Sequence, residues 1–248
     1  MPSQDPPPRS RLNPAELEKG AMLLVNKPPG WTSFDVVNKI RYKLKSMLGV
    51  KKIKVGHAGT LDPMATGLLI VCTGSSTKKI DQYQGMPKEY VGTITFGAST
   101  PSYDAETEPD GTFPYDHITP EMLEAVKAQF LGEIDQVPPL FSAIKVDGQP
   151  LYKKARKGIQ MEVKPRRVHI QTIEWTRIAL PEVDFLVRCS KGTYIRSLAH
   201  DLGRALESGA YLSRLVRTRI GTYPLETAWE LEDLVDELED LIPDTTAG

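Results

Sequence analysis

The amino-acid sequence predicts a mixed α/β fold of the α+β type, with a largely antiparallel sheet flanked by helices. Strand-like and helix-like segments intermingle along the 248 residues without the regular strand–helix alternation that a parallel sheet requires. The composition, 40% hydrophobic and 25% charged, is ordinary for a globular protein and sufficient for a core. No internal repeat is present. One domain is therefore expected over residues 21–224, after a disordered, Pro-rich leader at 1–20.

The elements follow from apolar patterning and turn residues. A helix should begin at Thr32/Ser33 as N-cap, because apolar residues recur after it at helical spacing. A second should begin at Thr119–Pro120 and end at Gly132. Further helices are predicted near 75–79, near 150–157, at 193–207 and, strongly acidic, at 227–242. Strands are predicted at 21–25, 68–73, 89–97, 141–147, 166–179 and 184–190, and a long acidic loop at 98–118.

Composition also narrows the class of protein. The densest apolar run, LLIVC at Leu68–Cys72, is far shorter than the roughly 20 residues of a membrane span. The first residues have no apolar segment typical of a secretory signal. The two cysteines, Cys72 and Cys189, lie far apart in strand-like stretches, which favours buried thiols in a reducing compartment. These features predict a cytoplasmic protein without a membrane partner.

The net charge of −1 conceals a strong pattern. Residues 1–100 and 141–225 are basic, whereas residues 101–140 and 226–248 are acidic. Any single basic cluster is more often a solvated face than a binding site. Six clusters confined to two segments instead favour a polyanionic partner, and nucleic acid is the natural one.

The stretch GHAGTLDPMATG, residues 56–67, places one carboxylate, Asp62, in a Gly-rich turn. Pro63 biases Asp62 away from the helical region, and the glycines permit close approach by a substrate. Taken alone, such an Asp more often bonds its own backbone, and a lone His57 is more often structural than catalytic. The sequence has no P-loop, no zinc-type spacing and no nucleophile elbow, so no metal cluster is expected.

A second segment, CSKGTYIRSLAHDLG at Cys189–Gly203, favours the catalytic interpretation of the turn. Together with NKPPGWTS at 26–33, the Gly-rich turn, the KEY of Lys88–Tyr90 and the basic L-x-R before Tyr-Pro, it closely resembles the TruB family of tRNA pseudouridine synthases. The similarity spans about residues 21–224. It implies an isomerase that detaches C1′ of a uridine from N1 and reattaches it to C5 without metal or cofactor. The route, through C6 or through C1′, stays open.

The resemblance also implies roles for individual residues. Asp62 matches the essential carboxylate, Arg196 the guanidinium that pairs with it, and Tyr90 the aromatic that stacks on the target base. Six further residues match substrate-binding positions: Lys27, His57, Asp104, Tyr194, Leu215 and Arg217. The implied partner is the T-arm stem-loop of tRNA, with uridine 55 as target. A monomer is expected.

The chain departs from the family pattern at several points. Residues 225–248 are too few for a PUA domain, so an acidic helix and tail are expected there, away from the cleft. Pro101 replaces the first Asp of a loop motif, and Asn26 stands where many relatives have Asp, which puts a bracing hydrogen bond in question. Two alternatives remain: a tRNA-binding folding chaperone, and the catalytic subunit of a guide-RNA ribonucleoprotein, which the missing PUA domain disfavours.

Overall fold

The computed structural model describes residues 12–142, 145–146, 149–150 and 163–241. Within these ranges the α-helices are α1 (Pro14–Lys19), α2 (Ser33–Leu48), α3 (Ile80–Gly85), α4 (Pro120–Lys127), α5 (Ile195–Ala205) and α6 (Leu231–Asp240). Short 3₁₀ helices occupy Gly74–Lys79, Ala128–Phe130 and Leu225–Thr227. Residues 151–157 of the helix predicted near 150–157 lie outside the described residues, as do residues 1–11 of the predicted leader and 242–248 of the predicted tail. Pro150, the first residue of that predicted helix, lies in a short strand.

The strands confirm the predicted fold class, a large and mostly antiparallel sheet with flanking helices. In chain order they are β1 (Met22–Lys27), β2 (Val55–His57), β3 (Thr66–Thr73), β4 (Lys88–Phe96), β5 (Ala98–Ser99), β6 (Gly111–Thr112), β7 (Gly132–Gln136), β8 (Lys145–Val146), β9 (Gln149–Pro150), β10 (Arg166–Ala179), β11 (Glu182–Cys189), β12 (Ala210–Ile220), β13 (Tyr223–Pro224) and β14 (Trp229–Glu230).

The chain divides into two compact units within the single domain predicted over residues 21–224, and that domain assignment stays a prediction. Unit 1 contains Met1–Lys88 and Val216–Gly248, and unit 2 contains Glu89–Leu215. The boundary falls inside β12, whose first half belongs to unit 2 and whose second half belongs to unit 1.

Unit 1 is organised around β3. This strand pairs antiparallel with β1 and β2, and parallel with β12 at Val216 and Arg217. Its two faces enter two apolar clusters: Leu69 and Val71 pack with residues of α2 and α6, whereas Leu68, Ile70 and Cys72 pack with Tyr83 and Ile220. Burial on both faces explains why the sequence here is continuously apolar instead of alternating.

Helix α2 forms where the sequence predicted it. Thr32 is the N-cap, and its side chain and that of Asp35 each accept a bond from the other residue's backbone N–H, a reciprocal capping box. The acidic α6 packs on α2, and Glu239 forms an ion pair with Lys43. The C-terminal acidic segment therefore neutralises part of the basic helix.

The structure differs from the expectation of a disordered leader at residues 14–19. Asn13 caps α1 by accepting backbone N–H bonds from Ala15 and Glu16, and Leu17 is buried in the core of unit 1. The first N–H groups of a helix have no partner within the helix, so Pro, which lacks an N–H, is well tolerated at the first helical position. A Pro-rich segment is therefore compatible with a helix start as well as with a disordered leader.

In unit 2, β11 and β7 flank β10 in antiparallel pairs, and β4 lies between β11 and the first half of β12. Strand β7 was not predicted: the helix expected to run to Gly132 ends at Lys127, and Gly132 opens the strand with a φ of +82°. Helices α4 and α5 contact each other.

None of the helices in the described part of the chain is both long and apolar enough to cross a membrane.

Candidate active site

The Gly-rich turn lies in unit 1 between β2 and β3. Strand β2 ends at His57, which pairs with Val71, and β3 begins at Thr66. Asp62 is half-buried between them. Its carbonyl oxygen accepts a bond from the Ala65 N–H at 3.1 Å, which closes a tight turn directly after it. The carboxylate is thereby placed on a short loop anchored at both ends in one sheet.

A buried lysine side chain stabilises the backbone of the Gly-rich turn. Lys27, at the end of β1, has no solvent exposure. Its Nζ donates to the carbonyl oxygens of Pro28 at 2.9 Å, Trp31 at 2.6 Å and Pro63 at 3.2 Å. Three acceptors match the three N–H donors of an ammonium group. Since Pro63 directly follows Asp62, this buried charge fixes the backbone beside the carboxylate.

Arg217 braces the same turn from β12. The side chain is 1% exposed, and its Nε and one terminal nitrogen donate to the carbonyl oxygens of Leu68 at 2.8 Å and Gly59 at 3.1 Å. Strand β12 passes so close to Gly67 that a Cβ there would lie 2.4 Å from the Arg217 carbonyl oxygen. Gly67 also has a φ of +103°, so the approach and the backbone conformation both require glycine.

Two uncharged side chains complete the support of the turn. Ser33 Oγ accepts from the Leu61 N–H at 2.8 Å and lies 3.2 Å from the Leu61 carbonyl oxygen. Asn26 accepts from the Gly67 N–H at 3.1 Å and donates to Glu230 at 2.9 Å. The hydrogen bond that Asn in place of Asp put in question is therefore made.

His57 is half-buried at the start of the turn. Burial and the positive charge of Arg217 lower its pKa, against an opposing effect from the backbone of Gly59. The imidazole is consequently neutral at neutral pH. Its Nδ1 is buried and has no hydrogen-bond partner among the described residues. A neutral ring at this position provides an aromatic surface at the start of the turn without adding charge to it.

In unit 2 the second predicted motif is fixed at the start of α5. Tyr194 is the N-cap residue of that helix. The buried Gln136 side chain bonds both of its backbone groups, accepting from the Tyr194 N–H at 2.8 Å and donating to its carbonyl oxygen at 3.0 Å. Ser197 donates to the Val137 carbonyl oxygen at 2.7 Å. The end of β7 thus holds the first turn of α5.

Arg196 lies in that first turn and is 4% exposed. Its terminal nitrogens donate to the carbonyl oxygens of Ser102 at 3.1 Å and Phe141 at 2.9 Å. Its Nε lies 3.4 Å from Oδ2 of Asp104, an ion pair without hydrogen-bond geometry. Asp104 is fully buried and its Oδ1 accepts from the Ser102 hydroxyl at 2.5 Å and the Glu106 N–H at 3.0 Å.

The predicted site residues thus fall into two groups. Lys27, His57, Asp62 and Arg217 surround the turn of unit 1, whereas Tyr90, Asp104, Tyr194, Arg196 and Leu215 belong to unit 2. Tyr90 on β4 is 8% exposed and Leu215 on β12 is 6% exposed. The pairing of Asp62 with Arg196 and the substrate contacts of these residues stay predictions. The hydrogen bonds and the ion pair described above for Lys27, Arg217 and Asp104 all join these side chains to other residues of this chain.

Several supporting residues were not found from the sequence, namely Ser33, Gln136, Tyr103 and His200. One sequence signal could have identified Gln136, namely a polar side chain at the end of a strand. That signal was lost because strand β7 itself is not predicted. Tyr103 and His200 stack with ring centroids 3.9 Å apart at 14°. Among the described residues no group of three or more His, Cys, Asp or Glu is placed to hold a metal ion.

Comparison with known proteins assigns the family. Residues 45–195 match the model of the TruB family pseudouridylate synthase N-terminal domain, and residues 196–244 match that of the tRNA pseudouridylate synthase B C-terminal domain. The chain therefore belongs to the TruB family of pseudouridylate synthases, as the motifs predicted. The second match begins inside α5 and includes α6.

Curated relatives agree over nearly the whole chain. A Flavobacterium johnsoniae protein called tRNA pseudouridine synthase B is 54% identical over 92% of this chain and all of its own length. Proteins of the same name from Phocaeicola vulgatus and Bacteroides fragilis are 52% and 56% identical, over 90% and 84% of this chain and 94% and 90% of their own.

Solved structures share the fold. A chain in the crystal structure of a Cbf5-Nop10-Gar1 complex is 33% identical with a TM-score of 0.67, and covers 90% of this chain. A chain of an H/ACA RNP bound to a substrate RNA containing 2′-deoxyuridine is 30% identical with a TM-score of 0.64, again over 90% of this chain. This chain spans 55% and 54% of the length of those two proteins.

Proposed function

We propose that the chain is a tRNA pseudouridine synthase that converts uridine 55, in the T-loop of tRNA, to pseudouridine. The observation that carries the proposal is the turn of residues 56–67 in a TruB-family chain. It presents the half-buried Asp62 on a backbone held by two buried cations, Lys27 and Arg217. Such support holds a reactive carboxylate in one position before substrate arrives.

The choice of tRNA rests on the relatives. Proteins more than 50% identical over most of this chain are named tRNA pseudouridine synthase B. A hairpin-loop target agrees with the chemistry, because a loop base can be turned out of its stack for only a few kcal/mol. The T-arm alone suffices as substrate in this proposal, and the chain acts on it as a cytoplasmic monomer.

In the proposed reaction the Asp62 carboxylate acts as a nucleophile or an electrostatic stabiliser. It adds to C6 of the uracil, or it attacks or stabilises C1′ while the N1–C1′ bond breaks. The detached uracil then turns so that C5 faces C1′, and the C1′–C5 bond forms. The hydrogen at C5 leaves as a proton to solvent and N1 gains a proton, so uridine and pseudouridine have the same composition.

The residues of unit 2 supply binding and orientation in this proposal. Tyr90 stacks on the extruded uracil, as aromatic side chains do with unstacked bases. Arg196 pairs with the catalytic carboxylate and keeps it ionised and aligned. The carbonyl and Asp104 contacts of Arg196 restrict the guanidinium. Exposed basic residues such as Arg214 and Arg219 of β12 would contact phosphates, which makes binding salt-dependent.

Tritium release tests the proposal directly. The wild type and Asp62→Asn are incubated with a tRNA transcript labelled with tritium at C5 of uracil, and release into water is counted. Bond formation at C5 expels that tritium, so one equivalent per tRNA is expected from the wild type. Asp62→Asn keeps the size of the side chain without its charge, so it should release none while binding tRNA unchanged.

A second transcript locates the target. Replacing only the T-loop uridine with cytidine should abolish release by the wild type. Stoichiometric release from that transcript would refute uridine 55 as the target, and full activity of Asp62→Asn would refute the role of the carboxylate. Tight binding with no release by either protein would instead favour the tRNA-folding chaperone.

A further inference from the structure

The loop before Asp104 contacts α5 at two successive turns. Arg196 and His200 are four residues apart on this helix and therefore share one face. Three consecutive loop residues meet that face. The Ser102 carbonyl oxygen and the Asp104 carboxylate contact Arg196, and the Tyr103 ring between them stacks on His200.

The Tyr103 ring is held in this place against the preference of its backbone. Tyr103 has a φ of +62°, the left-handed region in which Gly or Asn is far more common than Tyr. Its carbonyl oxygen accepts from the Leu212 N–H at 3.0 Å, and its N–H donates to Thr100 at 3.1 Å. The backbone bonds require no aromatic side chain, so the ring is explained by its contact with His200.

The stacked pair is well suited to a static role. The rings are nearly parallel at 14°, with centroids 3.9 Å apart. Burial and the positive charge of Arg204 lower the pKa of His200, whereas Asp110 raises it. Burial raises the pKa of Tyr103, as do Asp201 and Asp110, against Arg204. Both rings are therefore uncharged at neutral pH and pack as apolar surfaces.

We propose that the stacked Tyr103 and His200 rings are positioning residues that lock the 102–104 loop onto α5 and so hold the Arg196 guanidinium in one orientation. The stack attaches the 102–104 loop to α5 at His200, one helical turn after Arg196. Without it, Ser102 and Asp104 can shift along the helix and the guanidinium can turn with them. The consequence for catalysis rests on the proposed function, in which Arg196 aligns the Asp62 carboxylate.

The first test observes the guanidinium itself and needs no activity. The protein is labelled with ¹⁵N-arginine, and the Arg196 Nε–H signal is assigned by its loss in Arg196→Lys. The key variant is Tyr103→Asn, which removes the ring but suits the left-handed backbone, so the loop has no added strain. We expect the Arg196 signal to shift and its hydrogen exchange to quicken. Tyr103→Phe keeps the ring and should restore the wild-type signal, whereas His200→Ala should behave like Tyr103→Asn.

The second test separates positioning from general stability. Single-turnover tritium release should fall about tenfold to a hundredfold in Tyr103→Asn, since small misplacements of a catalytic group have effects of this size. The Kd for the T-arm should change less than about threefold because the ring does not touch RNA in this proposal. In an Arg196→Lys background the same substitution should change the rate less than about twofold, because the rings act through the guanidinium.

Each outcome has a distinct meaning. An unchanged Arg196 signal in Tyr103→Asn would overturn the inference, as would equal losses of rate in the wild-type and Arg196→Lys backgrounds. A displaced guanidinium with an undiminished rate would support the positioning role and remove Arg196 from the proposed mechanism. If the wild type released no tritium, the proposed function would fail, and the Arg196 signal would still decide whether the stack holds the guanidinium.

Discussion

The Gly-rich turn of unit 1 and the Arg196 region of unit 2 hold their functional groups in opposite ways. In the turn, side chains hold backbone: the Lys27 and Arg217 cations donate to carbonyl oxygens on or beside the loop that carries Asp62. In unit 2, backbone holds a side chain: carbonyl oxygens of Ser102 and Phe141 receive the Arg196 guanidinium. The first arrangement fixes a chain path and the second fixes a side-chain rotamer.

The two arrangements predict different effects of substitutions on stability and on turnover. Loss of a cation that supports the turn leaves buried or partly buried carbonyl groups without donors, which destabilises the folded state. Loss of a contact around Arg196 lets one side chain move while most of the fold persists. We therefore expect substitutions in the turn to lower the free energy of unfolding, and those in unit 2 to lower turnover more than stability.

Lys27→Met should have the largest effect on stability. The substitution keeps the apolar stem but removes the donor to three carbonyl oxygens, those of Pro28, Trp31 and Pro63. An unsatisfied buried group costs about 1–3 kcal/mol and these partly buried carbonyl groups cost less, so the expected loss for the three together is about 4 kcal/mol in urea unfolding. Lys39→Met on the exposed face of α2 is the matched control. Equal midpoints for the two variants would contradict the bracing role.

Gly67→Ala should be nearly as harmful. A Cβ would meet the Arg217 backbone at 2.4 Å, at a φ that disfavours any side chain. The expected loss is about 3 kcal/mol, from overpacking and backbone strain together. Gly85→Ala, where a Cβ would meet nothing within 4 Å, is the control and should leave the urea midpoint nearly unchanged. A stable, fully active Gly67→Ala would show that β3 can move away from β12.

Gln136→Ala addresses unit 2. It removes both bonds to the Tyr194 backbone, at 2.8 and 3.0 Å, and should lower the free energy of unfolding by about 2 kcal/mol. Single-turnover rate should fall further than this loss of stability explains, because the start of α5 also carries Arg196. Gln171→Ala, on an exposed strand position, is the control. An unchanged rate would show that the clamp at Tyr194 is only structural.

Asp201→Asn should have the smallest effect, and a stabilising one. Burial raises the pKa of Asp201 from 3.8 to about 6, partly opposed by Arg204. The folded chain therefore binds this proton more tightly than the unfolded chain, and stability falls as the pH rises from about 4 to 6. Above that range the variant should be more stable by on the order of 1 kcal/mol, after allowance for solvent screening. The gain should vanish near pH 4, as measured by thermal unfolding, and exposed Asp236→Asn should show no gain.

The sequence predicted the parts of the fold that have strong local signals. Helix α2 begins at the predicted cap, because Thr32 and Asp35 satisfy each other's backbone locally. Strand β3 was visible because a doubly buried strand is continuously apolar. Strand β7 was missed because its five residues alternate weakly and depend on distant pairing with β10. Strand β12 is not predicted from the sequence, because its arginines obscure the alternation and indicate only a basic segment.

The site was predictable only in part, for a related reason. The motifs identified Asp62, Tyr90 and Arg196 as candidate catalytic residues. They did not reveal that Lys27 and Arg217 are buried, because the partners of these cations are backbone carbonyl groups and carbonyl groups have no sequence signature. The stack of Tyr103 on His200 joins residues almost one hundred positions apart, and neither was prominent in its own segment.

The two buried cysteines allow the local opening of each unit to be measured by the rate of thiol labelling. Cys72 is buried in unit 1 and Cys189 in unit 2. Burial raises the pKa of Cys72 to about 11, against the positive charge of Lys79, so at pH 8 almost no thiolate is present to react. Alkylation of the native protein then requires that the surrounding unit first opens. With one cysteine replaced by Ala at a time, labelling rates would report how often each unit opens under conditions in which the protein turns over RNA.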